Sequence, residues 1–352
     1  VKKIVFVLPN LDSGGVEKVA LNYLNQLDAK KYNVTLIVFN EANDLLHNVP
    51  DTANITCLHT KSTKGSLVRL VGTLKEIQPD AVYTGHSRVA VLVQCVKLFM
   101  GGFKHLARMQ SMPSLEKKYR KYGLIHRKLY SLAFRNADVV LAETTDMKDD
   151  AISAFSMRAE NIKVMHNPLN KESIDRSLES FNESPFSDKD IVGIASGRLC
   201  KDKGYDILIM ATKLVLEEIP NFKLHILGRD DGEGGHLKEI IEKQGLDNKV
   251  ILEGFKKNPY CYYNHCDLFI LSSRREGFPN VVIENYYLNT PIVSTRCVPI
   301  INEIVVEGSN GYTCEVEDII SLSQAIVNCI KMIKRSDLKN PDYIGSKLED
   351  LF

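Results

Sequence analysis

The chain of 352 residues has no tryptophan, an absence that decides nothing, but its other gaps are informative. No apolar run approaches the roughly 20 residues needed to cross a bilayer, and the opening Val1–Leu8 stretch is too short for a secretion signal, so a cytosolic location is expected. The eight cysteines, at 57, 95, 200, 261, 266, 297, 314 and 329, form no C-x-x-C pair, which favours reduced, buried thiols over a disulfide or zinc framework. Neither half carries the G-x-G-x-x-G fingerprint, which disfavours a nicotinamide dehydrogenase. A D-x-D occurs at Asp188-Lys189-Asp190, but it precedes a strand and reads as a turn, and Asp149-Asp150 and Asp230-Asp231 lack supporting ligands. No metal and no cofactor are expected.

At 44% apolar and 25% charged residues, the composition is that of a soluble globular chain long enough for two domains. The net charge of +1 hides an asymmetry: residues 1–165 carry 23 Lys and Arg against 15 Asp and Glu, and residues 166–352 carry 22 against 29. Much of the excess lies in Lys117–Lys128, where basic residues interleave with Tyr119, Tyr122, Leu124 and Ile125. Such a segment fits an anionic membrane surface, with a solvated helix face as the plain alternative. Nucleic acid is not expected as a partner, because no basic stripe or binding module accompanies it.

Short β-branched runs alternate with helical patterns, the mark of parallel sheets wrapped by helices. Strands are expected at Ile4–Pro9, Val34–Phe39, Ile55–Leu58, Ala81–Thr84, Leu106–Met109, Val139–Ala142 and Ile162–Met165, then at Ile191–Ala195, Phe222–Leu227, Val250–Leu252, Leu268–Leu271 and Ile292–Ser294. The pattern gives an α/β fold of two doubly wound domains, residues 1–168 and 191–335. A polar linker is expected over 169–190, and a tail over 336–352 that can pack as a closing helix. Ligands of such sheets bind at the carboxyl ends of strands, most naturally in a cleft between two domains.

Candidate site residues sit at those strand ends. Glu276-Gly277-Phe278-Pro279-Asn280 precedes or opens a helix, with Glu284 a turn inside it. The amides of Gly277, Phe278 and Asn280 are suited to an anion, and the two carboxylates to sugar hydroxyls. An acidic first helical turn is the simpler reading of Glu276 and Glu284 alone. Upstream, Gly197-Arg198 and Lys203 can neutralise a diphosphate. Gly14-Gly15 opens a helix whose amides can cradle phosphate, and Gly228 with Phe255-Lys256 marks two further strand ends. His86 and Gln110, with the adjoining Arg108, stand where the first domain would meet an acceptor; His166 is a weaker candidate.

These motifs, in this order, resemble the retaining GT-B glycosyltransferases of family four over nearly the whole chain: Ser13-Gly14-Gly15, Val164–Pro168, Gly197-Arg198 with Lys203-Gly204, Leu227-Gly228, Gly254-Phe255 and Glu276–Glu284. The resemblance implies two Rossmann-like domains facing across a cleft. It assigns Glu276 to the donor sugar, Glu284 to ribose, Arg198 and Lys203 to the diphosphate, and Gly14-Gly15 to the opposing loop. It implies retaining transfer of a hexose or N-acetylhexosamine from a UDP-linked donor to a glycan or lipid-linked glycan. A nucleotide-sugar epimerase and a catalytically silent nucleotide-sugar or membrane-binding protein are the alternatives. Two positions depart from the family pattern. Gln110 stands where many members carry a histidine, and Asn285-Tyr286-Tyr287-Leu288-Asn289-Thr290-Pro291 replaces small residues and a glycine.

Overall fold

The computed structural model describes residues 1–12, 14–40, 45–60, 63–114, 124–179, 183–333 and 348–351. Lys117, Lys118, Arg120 and Lys121 lie outside the described residues. The chain divides into two compact units: Val1–Asn170 with Ile344–Phe352, and Lys171–Tyr343.

Unit 1 is built on seven parallel strands: β1 (Lys2–Leu8), β2 (Tyr32–Val38), β3 (Asn54–Cys57), β4 (Ala81–Thr84), β5 (Lys104–Arg108), β6 (Val139–Ala142) and β7 (Ile162–Val164), in the order β3-β2-β1-β4-β5-β6-β7. β1 is apolar at five successive residues because both sheet faces are covered. Ile4, Phe6 and Leu8 pack with Val19, Tyr23 and Leu24 of the helix Gly15–Asn25. Val5 and Val7 point the other way, toward Leu70 and Leu74 of Thr63–Ile77 and Val89 and Val93 of Ser87–Met100. The period of two along a strand produces this division.

Unit 2 has six parallel strands: β8 (Ile191–Ser196), β9 (Phe222–Leu227), β10 (Val250–Gly254), β11 (Leu268–Leu271), β12 (Ile292–Thr295) and β13 (Gly311–Cys314), ordered β10-β9-β8-β11-β12-β13. The helices Tyr205–Glu218 and Ile319–Ile333 bring Leu208, Val215, Ile326 and Ile330 to one core with Leu224, Ile226, Ile270 and Val293.

Two features depart from expectation. The segment expected as a linker begins with a helix, Lys171–Glu179, held to unit 2 by the Asn258 side-chain amide on the Ser177 carbonyl at 2.8 Å and by Tyr287 Oη on Asp175 at 2.9 Å. Only Ile174 of this helix is buried, so the sequence shows no apolar period there. β13 was not expected at all, since Gly311-Tyr312-Thr313-Cys314 has little β-branched content. In the tail, the short helical turn Leu348–Leu351 buries Leu348 in the unit 1 core, and Lys104 Nζ donates to the Leu351 carbonyl at 2.8 Å.

Candidate active site

In each sheet the strand order reverses once, between β1 and β4 in unit 1 and between β8 and β11 in unit 2. Loops leaving adjacent strands diverge at such a point and open a crevice.

In unit 2 the two loops at this point are bound to one another along their length. Lys203 Nζ donates to Glu276 Oε1 at 2.7 Å, and Ser273 Oγ donates to the same oxygen at 2.6 Å. Ser272 Oγ donates to the Lys203 carbonyl at 2.9 Å. The Arg274 guanidinium forks onto Asp206 at 2.8 and 2.7 Å, reaches the Lys201 carbonyl at 2.6 Å and pairs with Glu317. Arg275 pairs with Asp202 at 2.8 Å. A planar, bidentate cation fixes direction as well as distance, so the loop carrying Glu276 is oriented before any ligand arrives. Gly204 permits the approach: its φ is +63°, and a Cβ would lie 2.2 Å from the Ser272 carbonyl oxygen.

Arg198 follows Gly197 at the end of β8 and pairs with Asp231 at 2.5 Å, with its side chain 69% exposed. An ion pair so exposed contributes little to stability, and its cation is accessible to an anionic ligand. Gly228 packs against this loop, where a Cβ would fall 1.7 Å from the Gly197 carbonyl oxygen. Beside Glu276, burial and then the Glu276 charge push the Cys297 thiol up to about 12, leaving it neutral.

The helix Asn280–Tyr287 begins one residue later than Pro279. Pro279 has φ −84° and ψ 75°, and the Asn280 amide donates across it to the Phe278 carbonyl at 3.0 Å. These are the angles of an inverse γ-turn. The Asn280 amide is therefore engaged, a correction to its expected part in an anion cradle. Glu284 is buried inside the helix, and Tyr260 Oη donates to its Oε1 at 3.4 Å. Burial, then the Glu284 carboxylate, holds the Tyr260 phenol well above its usual range, so it remains a donor. Phe255 is half-exposed with the Arg229 guanidinium 5.2 Å from its ring centre. Lys256 pairs with Glu253 at 2.8 Å, and that bond, followed by one to Tyr262, raises its pKa.

In unit 1, Gly14 caps the helix Gly15–Asn25, but the Glu17 carboxylate leans over it: a Cβ on Gly14 would meet Glu17 Oε2 at 2.1 Å. His86 Nε2 lies 2.7 Å from Glu17 Oε1. A buried carboxylate, not an open ring of amides, stands at this turn. Gln110 donates to the Gly85 carbonyl at 2.5 Å, so His86 and Gln110 share the crevice mouth between β1, β4 and β5. Arg108 departs from the acceptor role expected of it. It is 3% exposed and pairs with Glu143 and with Asn167 Oδ1 at 3.0 Å, joining the ends of β5, β6 and β7 inside the unit.

Residues absent from the sequence reading thus include Glu17, Ser273, Tyr260 and the Arg274–Asp206 pair. Only Ser273 carries a usable signal, its place just after a strand. Among the described residues, no group of three His, Cys, Asp or Glu side chains is disposed to hold a metal ion.

The glycosyltransferase family 4 model matches residues 13–173 and the glycosyl transferases group 1 model residues 177–341. The chain belongs to the group 1 glycosyl transferases. An uncharacterized glycosyltransferase of Methanocaldococcus jannaschii is 33% identical over 240 residues, 65% of this chain and 58% of that protein. The N-acetylgalactosamine-N,N'-diacetylbacillosaminyl-diphospho-undecaprenol 4-alpha-N-acetylgalactosaminyltransferase of Campylobacter jejuni is 24% identical over 99% of this chain and 96% of its own length. Among solved structures, Anabaena HepE in complex with UDP and glucose superposes with a TM-score of 0.76 at 20% identity, over 94% of this glycosyltransferase and 90% of that chain. The two-unit α/β architecture is of the GT-B class.

Proposed function

We propose that this glycosyltransferase moves a hexose or N-acetylhexosamine, with retention, from a UDP-linked donor to a glycan or lipid-linked glycan in cell-surface polysaccharide synthesis. The observation that carries the reading is the Glu276 carboxylate, fixed by Lys203 and Ser273 at the switch point of unit 2 beside the exposed Arg198. The Campylobacter relative, named for transfer to a diphospho-undecaprenol-linked sugar, supports the acceptor class; HepE, solved with UDP, supports the nucleotide.

When the bond from the anomeric carbon to the diphosphate breaks, negative charge gathers on the departing oxygen. Arg198 and the two Lys203 N–H groups not given to Glu276 stabilise that charge more than the ground state. The acceptor hydroxyl bonds to the anomeric carbon from the face that the diphosphate leaves, and its proton passes to a diphosphate oxygen. Glu276 orients the sugar, and Glu284 with Tyr260 receives the ribose. No metal is required in this scheme. The basic segment Lys117–Lys128 holds the enzyme at an anionic inner membrane face.

Turnover of purified protein with UDP-, GDP- and ADP-sugars, with and without EDTA, tests the reading. Arg198→Ala and Lys203→Ala are each expected to lose about 100- to 1,000-fold in kcat, as for loss of an oxyanion donor. Undiminished transfer by Glu276→Ala, Arg198→Ala and Lys203→Ala would sink the site, EDTA sensitivity would sink metal independence, and an inverted anomer by NMR would sink retention. Donor conversion without acceptor would point to an epimerase.

A further inference from the structure

Three tyrosines stand near the strand ends of unit 2, and two of them have acceptors: Tyr260 donates to Glu284, and Tyr263 shares a hydrogen bond with Ser196. Tyr205, the first residue of the helix Tyr205–Glu218, is 3% exposed, and among the described residues its Oη has no hydrogen-bond partner. Its neighbours fix its place. A Cβ on Gly197 would lie 3.0 Å from Tyr205 Oη and 2.8 Å from Lys203 Cε, so the phenol ends against the Gly197 backbone beside the Lys203 stem. Burial, then the Glu276 charge, holds the phenol well above its usual range, so Oη keeps its proton and can only gain by donating it to an acceptor. A buried donor left unmatched is destabilising, and its cost is recovered when an acceptor comes within reach. The acceptor beside it is Glu276, whose Oε1 takes Lys203 and Ser273 and whose carboxylate has lone pairs to spare.

We propose that Tyr205 is a positioning residue for the donor: when a nucleoside diphosphate engages Lys203, Tyr205 Oη donates to the Glu276 carboxylate and makes good what Lys203 gives up. In the empty site the Lys203 ammonium is spent on Glu276 and its stem lies beside the phenol. As its other two N–H groups take up the diphosphate, its hold on Glu276 loosens, and the hydroxyl kept in reserve beneath keeps that carboxylate in place. The inference rests on the site proposed above, with Lys203 on the diphosphate, and adds to it a bond made only in the loaded state.

Calorimetric titration of the full chain with UDP, GDP and ADP provides the test. Tyr205→Phe is expected to weaken the nucleotide that binds by about tenfold, the size of one hydrogen bond to a charged group. Without nucleotide, Tyr205→Phe is expected to melt at the same temperature as the unmodified protein or higher, because the hydroxyl removed had no partner. In a Glu276→Ala background, Tyr205→Phe is expected to cause no further loss of affinity, since the bond it removes is already gone. Unchanged affinity in Tyr205→Phe, with Lys203→Ala weakened, overturns this inference and leaves the proposed site standing. A full loss from Tyr205→Phe in the Glu276→Ala background overturns it by placing the hydroxyl on the nucleotide itself. A lowered melting temperature without nucleotide overturns it by making the hydroxyl a support of the fold. Binding of none of the three nucleotides, or undiminished binding by Lys203→Ala, overturns both this inference and the site on which it rests.

Discussion

The two switch points are built alike in backbone and unlike in chemistry. In unit 2, the loops after β8 and β11 are joined by three charged pairs, Lys203–Glu276, Arg274–Asp206 and Arg275–Asp202. In unit 1, among the described residues, the corresponding turn carries the His86–Glu17 contact, and the pairing of Arg108 with Glu143 lies away in the interior. A site that must stabilise charge as a bond breaks gains from groups that need no reorganisation, and unit 2 has that construction. At the switch point of unit 1 the described residues hold fewer charged pairs, and this is the mouth that the proposed function gives to the acceptor.

The contrast can be broken by mutation. The largest difference is expected between Lys203→Ala, at about 100- to 1,000-fold in kcat, and Gln110→Ala, at less than roughly tenfold, measured side by side with one donor. Equal losses would erase the distinction between the units. Next, Arg274→Ala removes a fork of charged hydrogen bonds and is expected to cost about 2–3 kcal/mol in urea unfolding, together with a raised KM for donor. Arg274→Lys is expected to recover only part of this, because a point charge cannot replace the fork.

A pH effect should distinguish unit 1. His105 is fully buried, its Nδ1 donating to Gln94 Oε1 at 2.9 Å and its Nε2 accepting from Thr84 Oγ1 at 3.0 Å. Burial, then the Lys97 charge, lowers its pKa from 6.5 to about 3. Between those values the unfolded chain binds the extra proton, so stability rises with pH across the window. The contribution is complete above about 6.5 and is lost as the solution is acidified toward 3, by up to about 1.4 kcal/mol per pH unit. His105→Asn is expected to be less stable at neutral pH but to lose less on acidification, read from melting temperatures at a series of pH values. The smallest effect is expected from Tyr260→Phe, which removes one long hydrogen bond to Glu284. It should raise the donor KM a few-fold, within about 1 kcal/mol, with kcat nearly unchanged.

The fold was legible because parallel strands buried on both faces write themselves as continuous apolar runs, as in Ile4–Leu8 and Leu268–Leu271. Strand ends then located Arg198, Lys203 and Glu276 without any side-chain information. What remained hidden lies in pairings between distant residues. Arg274 meets Asp206 across 68 positions and Tyr260 meets Glu284 across 24, and no local pattern announces either. The Glu17 carboxylate over Gly14 was hidden for another reason: a Gly-Gly turn reads as open backbone until a neighbouring side chain is seen to fold across it. The helix Lys171–Glu179 escaped because one buried residue cannot make a period.

Leu348 carries a consequence for biosynthesis. The core it completes belongs to unit 1, yet 173 residues of unit 2 are translated between Asn170 and the tail that brings it back. The unit made first must therefore hold a partly filled core while the second is made and folded. Leu348 can join that core only after the whole of unit 2 has been translated.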